Sequence, residues 1–169
     1  MALITRRGAI MALVSTAACT AFPLLNQAHA QMQTFDLPSL KVRKGGAIVS
    51  ERTQQELAAL PQKSILTKTP WHGEPTRFTG PTIDDLLGDD VDPSDDLYLT
   101  AVNDYLATGT VSFFRDSGAV FAIKENDAFL SIDNKGPVFI VFPFSEHPEM
   151  NNQMHYSRCV WQLVEIEAA

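Results

Sequence analysis

Asn103-Asp104-Tyr105 sets an amide, a carboxylate and a phenol in consecutive positions just beyond an apolar run. The amide donates and accepts, the carboxylate accepts or serves as a base, and the phenol adds a ring and a hydroxyl. Residues leaving a sheet at a strand end are placed to meet a ligand, so the triplet suits a small polar molecule. It also suits a plain turn, with Asp104 capping it and Tyr105 laid over the core. Trp71 and His72 stand on a stretch punctuated by Pro70, Gly73, Pro75 and Gly80, a loop able to cover the same cleft. A second constellation runs from Phe144 to Tyr156, where His147, Met150, Met154 and His155 offer imidazole and thioether donors of the kind copper or haem iron accepts. Their spacing matches no established site, and a polar surface loop accounts for it without a metal. Neither a Ser/His/Asp nucleophile pattern nor a phosphate-cradling Gly loop is present.

These residues must be positioned by short elements. Leu40 to Arg43 alternates apolar and basic, which predicts a half-exposed strand, with Gly45-Gly46 turning it onto Ala47-Ile48-Val49. Thr53-x-x-Glu56 is a capping box that opens a helix through Leu57 and Leu60, stopped by Pro61. Ser64 to Thr67 reads as a strand, followed by the long loop to Gly80. Pro81 suits the first position of a helix carrying Ile83, Leu86 and Leu87, which Gly88 ends. Asp89 to Asp96 is an acidic loop without the Gly turn and terminal Glu of an EF-hand.

From Leu97 onward the pattern turns to strands rich in branched and aromatic residues: Leu97–Ala101, Ala119–Ile123, Ala128–Ile132, Val138–Phe142 and Cys159–Ile166. Val138 to Phe142 is apolar at every position, so that strand is covered on both faces. The expected fold is an α+β domain dominated by a mixed β-sheet or partial barrel, with two short helices in its first half.

Composition narrows the class. Of 169 residues 45% are apolar and 20% charged, which excludes collagen, coiled coil and wholesale disorder. The formal charge is −7, and Arg6 and Arg7 are the only charged residues among the first thirty, so the rest is more acidic still. Such a surface repels phosphate backbones, and nucleic acid is not expected as a partner. Residues 1–30 have the form of a signal peptide: basic Arg6-Arg7, an apolar run from Ala9 to Ala21, and Ala28-His29-Ala30 as a small-x-small cleavage pattern. The apolar run is too short to span a bilayer, so no permanent membrane anchor is expected. Cleavage near Ala30 would leave residues 31–169 as a single periplasmic domain. Arg6-Arg7 is a partial match to the twin-arginine export pattern. After cleavage Cys159 is the sole cysteine, which excludes an intramolecular disulfide in that domain.

One ordered series of segments carries a resemblance. Thr69-Pro70-Trp71, Phe78-Thr79-Gly80-Pro81 with Asp85-Leu86-Leu87, Leu99 through Tyr105, Lys135 through Phe144, and Val160-Trp161-Gln162-Leu163 follow one another as in the oxidoreductase molybdopterin-binding domain family, the fold of sulfite oxidase and its short bacterial relatives. The resemblance covers nearly all of residues 40–167. It implies a sulfite oxidase-type fold, with molybdopterin as the cofactor of active members.

The chain departs from that family at the metal. Active members hold molybdenum through one cysteine thiolate, a soft ligand that completes the coordination and tunes its potential. Here the corresponding stretch, Ile65 to Trp71, contains threonines and no cysteine, and the loop offers only Lys68 and Arg77 to a pterin phosphate. Cys159, expected at the start of the last strand, is placed as a small buried thiol. The expectation is therefore an accessory protein without standard molybdenum catalysis. It would bind a small molecule or a periplasmic protein in a cleft formed by Thr69, Trp71, Arg77, Asn103, Asp104 and Tyr105. Two alternatives stay open: a molybdopterin-dependent oxidoreductase with different ligation, and a haem or copper protein using His147, Met150, Met154 or His155.

Overall fold

The computed structural model describes residues 37–88 and 91–169. Residues 1–36, which include the expected signal peptide, and Asp89 and Asp90 of the acidic loop lie outside the described residues. Strand β1 (Leu40–Lys44) turns through Gly45 and Gly46 into β2 (Ala47–Arg52). Both glycines have positive φ, 53° and 81°, the backbone region such a tight reversal needs. Helix α1 (Gln54–Leu57) opens with the expected capping box, in which Thr53 and Glu56 satisfy each other's backbone donors.

Strand β3 (Lys63–Thr69) pairs with β4 (His72–Gly80), and here the long loop expected from the sequence is corrected. Thr76 and Phe78 alternate inward along β4. Pro75 is tolerated because it falls in the stretch where the register with β3 shifts, away from the ladder. Gly80 is required by close approach: a Cβ there would fall 2.0 Å from the carbonyl oxygen of Phe121. Helix α2 (Ile83–Leu87) is capped by Thr82, so Pro81 precedes the cap instead of starting the helix.

Strand β5 (Asp96–Ala101) pairs with β6 (Leu106–Thr110), which leads into helix α3 (Val111–Asp116). Then come β7 (Val120–Ala122), β8 (Lys124–Glu125) and β9 (Ala128–Phe129), followed by a 3₁₀ turn over Ile132–Asn134. Strand β10 (Phe139–Val141), a 3₁₀ turn over Pro148–Met150, helix α4 (Gln153–Tyr156) and β11 (Leu163–Ala168) complete the chain. The expected strand at Ala128 stops after two residues, because Ile132 enters the 3₁₀ turn. The last strand starts at Leu163, so Cys159 lies before it and not within it.

The strands form a five-stranded sheet in the order β2-β1-β11-β5-β6, a four-stranded sheet β3-β4-β8-β9 and the pair β10-β7. The first sheet is mixed: β11 runs parallel to β1 and antiparallel to β5. The class is α+β, mostly sheet with a few short helices, and the described strands close no barrel. Val138 through Phe142 is fully buried, as its unbroken apolar run requires. Gln54 is one of several buried polar residues, its amide donating to the carbonyls of Leu130 and Pro137 at 2.8 Å each. No helix among the described residues is long and apolar enough to cross a membrane.

Candidate functional site

Three connections converge on one cleft. The β3–β4 turn contributes Trp71, the β5–β6 turn contributes Asn103 and Tyr105, and the segment from α4 to β11 contributes Tyr156, Trp161 and Gln162. The cleft is open to solvent and has a volume of about 300 Å³.

Each turn is locally determined. Asn103 Oδ1 accepts the Tyr105 backbone N–H, and Asp104 has φ 61°, a conformation Asp adopts more readily than most side chains. The reversal separates the three neighbours. Asn103 and Tyr105 face the cleft, whereas Asp104 faces a second, wider groove with Lys41, Glu51 and Glu165. The Tyr105 hydroxyl donates to the Ser157 carbonyl at 2.7 Å, and Asn103 Nδ2 has no partner among the described residues.

At the β3–β4 turn Thr69 is buried, and its Oγ1 accepts the Trp71 backbone N–H while meeting His72 Nδ1 at 2.7 Å. The turn holds Trp71 edge-on to Trp161, with ring centres 5.1 Å apart at 86°, and edge-on to Tyr156 at 6.4 Å. Aromatic pairs favour such geometry because a positive ring edge meets a negative face. His72 turns from the cleft toward Phe78, with Nε2 3.8 Å from Glu125 Oε1. Its pKa is depressed, chiefly by burial and then by Lys135, with Glu125 opposing. Gln162, at φ 52°, donates its side-chain amide to the Ile132 carbonyl, and its carbonyl accepts the Val102 N–H.

The sequence-predicted residues therefore divide. Trp71, Asn103 and Tyr105 meet in the cleft, Thr69 braces it from beneath the turn, Asp104 faces the other groove, and Arg77 is exposed along β4 opposite Leu66. Tyr156, Trp161 and Gln162 were not among the predicted site residues. Trp161 and Gln162 stood in the ordered series of segments quoted from the sequence, while Tyr156 carried no signal apart from its ring.

The second constellation is dispersed among separate roles. His147 meets Glu149, Met154 is exposed, and Met150 packs against the core. His155 is buried between Phe113 and Phe142, with Nδ1 3.1 Å from Asn152 Oδ1. Among the described residues no three His, Cys, Asp or Glu side chains stand as a metal-holding group.

The residues do not fit a thiolate-held molybdenum. Thr67 is fully buried with its hydroxyl against Ser145, and the Thr69 hydroxyl is engaged by His72. Cys159 borders the cleft, but it is only 5% exposed, and burial pushes its thiol far above the ordinary range despite a hydrogen bond from the Phe142 backbone. So little of its surface is open that the sulfur is not presented to the cleft as a ligand. The cleft lining itself carries no charged side chain, and Lys135, over Trp161, stands at its flank. What the arrangement can do is hold a flat ring between aromatic walls, with the Asn103 amide as a polar contact.

The chain matches no protein-family model, and no curated protein matches it.

Proposed function

We propose that this protein is an exported, non-catalytic binding module on a sulfite oxidase-type scaffold, and that it holds a small flat molecule in the cleft between Trp71, Tyr105, Tyr156 and Trp161. The observation that carries the reading is the cleft's chemistry: four aromatic rings around about 300 Å³, with neutral polar groups and no charged side chain in the lining. Such a lining rewards shape and stacking, not charge transfer or hydrolysis. The ordered segments that resemble the molybdopterin-binding family support the scaffold. The engaged threonines and the buried Cys159 support the absence of standard molybdenum catalysis. Export is supported by the form of residues 1–30.

Two measurements test this. Protein matured in a molybdenum-replete host is expected to carry far less than one molybdenum per chain, and stoichiometric molybdenum would overturn the proposal. Calorimetric titration with indole, a neutral flat ring, is expected to show saturable one-to-one binding that Trp161→Ala weakens severely while the thermal midpoint stays measurable. Absence of binding to the wild-type chain would remove the cleft from consideration as a ligand site.

A further inference from the structure

Lys135 stands at the flank of the cleft, over a ring of its lining. Arg43 is paired with Glu165 and Arg115 with Asp84, but no carboxylate lies within ion-pair distance of Lys135 among the described residues. Its ammonium instead rests over rings, 5.4 Å from the centre of Trp161 and 5.9 Å from that of Phe139. Lys124 and Arg158 also rest over rings without an ion-pair partner among the described residues, but theirs, Phe129 and Phe113, lie outside the cleft, whereas the ring under Lys135, Trp161, lines it.

The backbone holds it there. Lys135 closes the 3₁₀ turn in a left-handed conformation, φ 65°, and its carbonyl accepts the Gln162 N–H at 2.9 Å. The stem is thus anchored beside Trp161 and Gln162, two residues of the lining. A cation–π contact at a partly exposed site is weak, so the four-carbon side chain can leave the ring for a better partner. A carboxylate is that partner, since charge-assisted hydrogen bonds are the stronger kind. An ammonium-bearing ligand meets the opposite: Trp161 already carries a cation, and like charges repel.

We infer that the cleft selects a flat aromatic ring bearing a carboxylate, and that Lys135 is the residue that selects it. This rests on the cleft being a ligand site and adds the class of ligand.

Indole, indole-3-acetate and tryptamine present one ring as neutral, anionic and cationic, and each is titrated calorimetrically into the full chain at low salt. The anion is expected to bind about tenfold more tightly than indole, and the cation more weakly than indole. Lys135→Gln should bring indole-3-acetate down to the level of indole measured on the same variant, and Lys135→Arg should restore most of the preference. Lys135→Asn, a residue type at ease with positive φ, repeats the test should the Gln variant fold poorly. Indole binding without preference for the anion, a preference that survives loss of Lys135, or tightest binding of tryptamine would each overturn the inference and leave the cleft reading standing. If none of the three binds, the cleft reading falls and this inference with it.

Discussion

The hydroxyl of Tyr105 donates to the backbone carbonyl of Ser157 across 2.7 Å, tying the β5–β6 turn to the end of α4, 52 residues further on. Two walls of the cleft are thereby joined by one hydrogen bond. Tyr105→Phe keeps the ring and removes the tether. Because the side chain is partly exposed, a stability loss of about 0.5–1 kcal/mol is expected in a urea titration. Binding of indole should weaken in the same variant, since the ring is then free to move. Unchanged affinity would mean that the tether does not position the ring.

Gln54 joins three separate parts of the chain from inside the core, with its amide donating to the Leu130 and Pro137 carbonyls. Gln54→Leu conserves bulk but leaves both carbonyls buried and unpaired. A loss of about 1–3 kcal/mol is expected, read as a lowered denaturation midpoint at constant slope. A neutral result would show that water reaches those carbonyls.

Cys159 is held protonated by burial. Native protein is expected to resist iodoacetamide at about pH 8, where an ordinary thiol with pKa near 8.5 reacts. The same cysteine should react promptly in guanidinium, and mass spectrometry of Cys159-containing peptides distinguishes the two states. Fast labelling of the folded chain would contradict the enclosed thiol.

Stability should fall on mild acidification. His72 and His155 both have depressed pKa values, first through burial and then through the neighbouring cations Lys135 and Arg158, against partial relief from Glu125 and Glu149. The unfolded chain therefore binds protons that the folded chain refuses. Stability is constant well above the unfolded value of about 6.5 and declines as pH drops below it, until each folded pKa is passed. Thermal midpoints measured from about pH 7.5 to about pH 5 should show this decline, and replacing both histidines with glutamine should flatten it. The depressed carboxylates Glu56, Asp92 and Glu149 act in a separate window, as pH falls through their own lowered values.

Much of the local architecture was legible in the residues. Thr53 with Glu56, Gly45-Gly46, and Ile83 with Leu86 and Leu87 each form a signal within a few positions, and each element formed, although α1 ends at Leu57, short of the expected Leu60, and α2 starts at Ile83, not Pro81. Strand β4 was hidden because Gly73, Pro75 and Gly80 mimic a loop, and only its pairing with β3 satisfies its backbone. Strand β6 and helix α3 escaped notice for a related reason: β6 lies at a sheet edge and buries only Ala107, and α3 has a single turn's worth of apolar spacing in Val111 and Phe114. The cleft was half visible. Asn103 and Tyr105 announced a strand-end turn, but nothing in the triplet said that the left-handed Asp104 would turn its own side chain toward a different groove.

Periodicity and capping chemistry act between residues a few positions apart, so the chain alone dictated its turns, its short helices and the double-sided burial of Val138 to Phe142. The parallel pairing of β1 with β11, the meeting of Trp71 with Tyr156 and Trp161, and the proton held on Cys159 arise only after distant segments are packed together. Burial and ring-to-ring geometry belong to the assembled sheets, and no local pattern encodes them.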